Sequence, residues 1–120
     1  MTDSQKKAFK IAETISEKKG YDITLIELEG LTLVADYFVL ASGRSKTQVQ
    51  ALAHYVLEKM EEEGIKELRV EGKNEGRWVL LDYGDVVVHI FQAEDREFYN
   101  LERLWSGAKL IKYDETEAAN

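Results

Sequence analysis

Apolar residues recur at helical spacing in two segments of the chain. Ala8, Ile11, Ala12 and Ile15 form a first stripe, and Val49, Leu52, Ala53, Val56, Leu57 and Met60 a longer one. A capping box opens each segment, Thr2-Asp3-Ser4-Gln5 and Ser45-Lys46-Thr47-Gln48, where side-chain oxygens satisfy amides left over at a helix start. Gly20 and Gly64 supply the stops. Glu61, Glu62 and Glu63 crowd the negative end of the second helix dipole, a mildly unfavourable placement. Between the helices, residues 21–29 alternate well enough for a strand, through Ile23, Leu25 and, after a slip, Leu28. Residues 36–41, Asp-Tyr-Phe-Val-Leu-Ala, read as a more buried strand ending at Ser42-Gly43.

The second half carries the densest apolar pattern. Residues 66–71 predict a short, polar strand near a sheet edge. Two strongly apolar runs then meet at an acidic turn, from Arg77 to Asp82 and from Asp85 to Phe91. Trp78 and Leu80 fall on one side of the first run, Val79 and Leu81 on the other. The second run likewise sets Val86, Val88 and Ile90 against Val87 and Phe91. Strands apolar on both faces are covered on both faces. From 93 to about 105 the pattern returns to helix, with Phe98, Leu101 and Trp105 on one side. The expected fold is α/β, a mixed sheet of about five strands with helices packed against it, forming one domain over residues 1–114. The polar 115–120 end is expected to fray.

Composition narrows the function classes. At 120 residues the chain buries roughly two-thirds of its unfolded surface, enough for a core without metal or disulfide support. Cysteine is absent, which removes thiol chemistry and disulfides. No signal peptide is apparent, and no apolar run approaches the ~20 residues of a membrane helix, so the expectation is a cytoplasmic protein without a membrane partner. The net charge of −7 disfavours direct contact with phosphate backbones and favours a basic protein as partner.

Catalytic signals are sparse. Asp82 and Asp85 evoke a paired-carboxylate metal site, and Ser42-Gly43-Arg44-Ser45 a phosphate loop, as in a minimal nucleotidyltransferase. The aspartates straddle a turn, however, and Asp and Gly are ordinary turn residues. The loop equally serves as plain helix capping. His89, within an apolar strand, reads as a buried imidazole bonded to a neighbour, and His54 as partly exposed. No pattern of nucleophile and base is present. Trp78 reads equally as core or as an interface anchor, since Trp and Tyr dominate binding hot spots.

Three runs carry a resemblance over roughly residues 5 to 112. They are Asp36-Tyr37-Phe38-Val39 with Ser42-Gly43; Trp78 with Leu81-Asp82-Tyr83-Gly84-Asp85-Val86-Val87-Val88-His89-Ile90-Phe91; and Arg96, Tyr99, Leu101, Glu102, Leu104 and Trp105. Together they resemble the ribosomal silencing factor, or Iojap-like, family. The resemblance implies a nucleotidyltransferase-like fold without catalytic apparatus, hence no enzyme activity, no cofactor and no metal. It also implies binding to the large ribosomal subunit through its small basic protein uL-fourteen, blocking subunit joining and repressing translation when nutrients are scarce. Dimers when free are implied as well. A role in large-subunit assembly would use the same docking face. Carried over by motif, the partner-binding residues are Trp78 and Tyr83 as anchors, Leu80 as filler, and Asp82 and Asp85, which either pair with Lys or Arg of the partner or fix the turn that presents Tyr83. Tyr99, Glu102 and Trp105 would flank or support them. Gly107 departs from the family pattern, where relatives usually carry an acid.

Overall fold

Thr2 Oγ1 accepts a hydrogen bond from Gln5 N at 3.2 Å, and Ser45 Oγ one from Gln48 N at 3.1 Å. In the computed structural model, which describes residues 2–113, these two caps start the long helices α1 (Asp3–Glu17) and α2 (Lys46–Glu62). The strands are β1 (Tyr21–Glu27), β2 (Tyr37–Gly43), β3 (Arg69–Glu71), β4 (Trp78–Asp82), β5 (Val86–Gln92) and β6 (Lys109–Lys112). They form one mixed sheet in the order β3-β4-β5-β2-β1-β6, in which only the central β2–β5 pair is parallel. The expected sheet of about five strands is thus six. The extra strand, Lys-Leu-Ile-Lys, is too short and too polar to give a period of its own. It forms because β1 offers it a partner edge, Thr24 opposite Lys112 and Glu27 opposite Lys109.

Side-chain alternation sorts the core onto two faces. Ile23, Leu25, Val39, Ala41, Val79, Leu81, Val88 and Ile90 point to one face and meet Ile11, Ile15, Leu52, Val56 and Met60 of α1 and α2. The opposite face carries Ile26, Phe38, Leu40, Val87 and Phe91, with Trp78 and Leu80 half-buried beside them. No long helix covers it. The segment expected as one helix from 93 to 105 breaks at Asn100, whose φ of 45° and ψ of 60° are left-handed. Two short helices result, α3 (Ala93–Tyr99) and α4 (Leu101–Leu104). Leu101 and Trp105 do pack on this face, but Phe98 is turned outward and 81% exposed. The break rotates the second half of the segment about the chain, so a single helical face no longer describes it.

Candidate functional site

The partly covered sheet face is where the sequence-predicted partner residues gather. Trp78 lies at the start of β4. Its Nε1 donates to His89 Nδ1 at 3.1 Å. Its ring stacks on Phe91, centroids 5.0 Å apart, and meets Tyr99 of α3 at 4.6 Å. Leu80 follows two residues along β4, between Glu71 of β3 and His89 of β5. Asp82 closes the row. One carboxylate oxygen accepts from Gly84 N at 2.8 Å, and the other lies 3.8 Å from Arg69. Tyr99 is half exposed. The result is an aromatic and aliphatic strip along an outer strand, rimmed by Arg69, Glu71 and Asp82.

Tyr83 and Asp85 do not join the strip. The turn that separates β4 from β5 is tight: Tyr83 N donates to Val86 O at 2.9 Å, and Gly84 holds a φ of +87° open only to glycine without strain. Tyr83 continues the β4 alternation on the side of Val79 and Leu81. Tyr83 is therefore buried in the core beneath the helices, where burial pushes its phenol well above the ordinary range, and its hydroxyl has no partner among the described residues. Asp85 turns toward α1 and pairs with Lys7 at 2.7 Å. Tyr83 is therefore not presented as an anchor, and Asp85 takes the alternative role expected for it, at the turn. Both residues brace the turn.

The third run of the sequence builds a strap over the same face. Arg96 of α3 is buried, with Nη1 donating to Asp22 O and to Ser42 Oγ (3.0 Å), and Nη2 to Thr24 Oγ1 at 3.2 Å. The second guanidinium nitrogen also pairs with Glu102 of α4 at 3.0 Å. One side chain thereby ties β1, β2, α3 and α4 together. Glu102 is committed to this tie. Trp105 packs edge-on against Phe38, centroids 6.0 Å apart, as a supporting residue. Arg77 adds an exposed link to Asp95 at 3.1 Å.

Besides Arg96, His89 was not singled out as a site residue by sequence. His89 pairs across the sheet with Leu80 and Leu40, so it lies under Trp78, and Phe38 lies beside it at 4.6 Å between centroids. Its alternation against Val88 and Ile90 was the available signal. Burial pushes its pKa down to about 4, against a small opposing pull from Asp82, so the imidazole is neutral. The catalytic alternative finds little here. Among the described residues no three of His, Cys, Asp and Glu gather as a metal site. Asp82 and Asp85 face apart, and in the small-residue loop Ser45 caps α2 while Ser42 binds Arg96.

The sequence matches, over residues 1–120, the family described as ribosomal silencing factor during starvation. A ribosomal silencing factor of Bacillus subtilis is 46% identical over 112 residues, spanning 92% of this chain and 95% of that protein. A solved Chromobacterium violaceum structure superposes with a TM-score of 0.85 at 35% identity, covering 94% of each chain. A mouse protein named for mitochondrial assembly of the ribosomal large subunit is 29% identical over 99 residues, 80% of this chain but 43% of its own length. The chain belongs to the ribosomal silencing factor family.

Proposed function

We propose that this chain docks on the large ribosomal subunit through the basic protein uL-fourteen and excludes the small subunit by occupying the joining surface. The observation that carries this reading is the incompletely covered sheet face. A strip of half-buried Trp78 and Leu80 beside half-exposed Tyr99 lies on a face that no long helix covers, and apolar ridges with polar rims mark docking sites. Trp78 and Tyr99 serve as anchors, Leu80 as filler, and Asp82 as an acidic contact for a lysine or arginine of the partner. Repression by this route needs occupancy and no turnover, so no catalytic group, cofactor or nucleotide is assigned. The family name supports the ribosome as target, and the mouse relative's name supports its large subunit.

Co-sedimentation with separated subunits tests the reading. The wild-type chain should pellet with large subunits, not with small ones, and should lower the yield of joined ribosomes in a dose-dependent way. Leu80→Asp, which sets a charge in the middle of the strip, should lose both effects while keeping a cooperative melt. Full joining at saturating protein would refute steric exclusion. The mouse relative's name favours one second reading, a role in large-subunit assembly, and accumulation of precursor particles in a deletion strain with normal joining in vitro would select it.

A further inference from the structure

Two buried N–H donors on the docking face lack acceptors. Trp105 Nε1 and His89 Nε2 have no hydrogen-bond partner among the described residues. For His89 the tautomer is set by its other nitrogen: Nδ1 accepts from Trp78, so a neutral ring carries its proton on Nε2. Both side chains lie against the same ring, Phe38, His89 at 4.6 Å and Trp105 at 6.0 Å between centroids. Buried donors are almost always paired, and leaving one unpaired costs more than a made bond gains. A pair of orphans around one phenyl ring, next to the open strip, is therefore a feature that a second molecule would resolve.

Taking the docking face as proposed above, we infer that the partner inserts main-chain carbonyl oxygens beside Phe38 to accept from Trp105 Nε1 and His89 Nε2. The chemistry selects the acceptor. Phe38 belongs to a buried apolar cluster with Leu40, Val87 and Phe91, where an unpaired carboxylate is costly, and the chain's own −7 charge repels one. A neutral carbonyl of an extended segment or loop suits both conditions, and a basic protein offers it without adding negative charge. Access comes from the strap. The two short helices turn about left-handed Asn100, and Phe98, Tyr99 and Leu104 on them already face solvent at 81%, 49% and 71% exposure. Insertion requires the strap to shift and uncover the indole edge.

Trp105→Phe isolates the donor, because it keeps a ring against Phe38 and removes only the N–H and one ring's width. The melting temperature should hold or rise, since an orphan donor is gone. Affinity for purified large subunits should fall about fivefold, the worth of one net hydrogen bond. In a titration with isolated uL-fourteen, the Trp105 indole N–H resonance should move downfield and its solvent exchange should slow. An unmoved indole resonance with wild-type affinity in Trp105→Phe overturns the inference. If Leu80→Asp still abolishes binding in that case, the docking face stands and only the acceptor is wrong. If Leu80→Asp binds normally too, the docking face itself falls, and the inference with it.

Discussion

His89 shows how one residue links the fold's stability to its proposed docking face. Its imidazole lies under Trp78 and accepts the indole proton, an arrangement available only to the neutral ring. Burial holds its pKa at about 4, while the unfolded chain titrates near 6.5. Across that window the unfolded state binds the extra proton, so stability rises with pH from about 4 and is complete above about 6.5. Two and a half units correspond to ~3 kcal/mol, at 1.36 kcal/mol each. His89→Gln leaves an acceptor for Trp78 but does not titrate. Measured by denaturant melts, the stability gap between wild type and this variant should close or invert by ~3 kcal/mol between pH 7 and pH 4. A pH-independent gap would show that the imidazole is less sealed than its surroundings indicate. At this scale the sequence was partly legible. Alternation alone placed Trp78 and Leu80 together and Val79 and Leu81 opposite them, because a strand's period of two admits no exception short of a bulge. Tyr83 obeys the same rule, on the side of Val79 and Leu81, and was expected outward on its motif alone; Asp85 escaped because it lies in the turn, where direction depends on the φ of Gly84.

Among the elements, the α3–α4 strap is the least secure and the most consequential. Helices of seven and four residues have almost no stability of their own, since a short helix rarely repays its nucleation. They stay on the sheet through Leu101, Trp105 and the four-way tie of Arg96. Arg96→Met removes that tie and strands Glu102, Thr24 and Ser42, at a cost of ~2 kcal/mol or more. Hydrogen exchange should show the loss confined to residues 93–105, with β2 and β5 still protected, because the α1–α2 layer holds the other face independently. Loss of protection throughout would make Arg96 a core residue of the whole domain. Sequence periodicity found the helices that carry their own stripe and cap, α1 and α2. It missed the break at Asn100 and the strand β6, because both are imposed by the sheet. β6 exists where β1 has a free edge, and the helix breaks at left-handed Asn100, between Arg96, held on β1 and β2, and Trp105, packed on Phe38.

For the molecule as a whole, net charge sets how fast partners meet and says little about how long they stay. A chain of −7 approaching an isolated basic ribosomal protein gains from long-range attraction, which raises the association rate more than the affinity. Salt shortens the reach of that attraction, to about 10 Å at 0.1 M and about 3 Å at 1 M. The association rate with isolated uL-fourteen should therefore fall by roughly tenfold or more between low and high salt, while dissociation barely changes. The intact large subunit presents a different field. Its phosphates contribute a negative charge at every nucleotide, and the basic protein is a local exception in a repulsive surface. Salt screens that repulsion as well, so the same titration with whole subunits should show a weak or reversed dependence. Stopped-flow or biosensor measurements with both targets separate the two fields. Equal, steep slowing with both would mean that the strip meets a positive field wide enough to dominate the subunit's approach. A flat profile with the isolated protein would leave docking to the apolar strip of Trp78, Leu80 and Tyr99 alone, with the acidic surplus serving solubility rather than recognition.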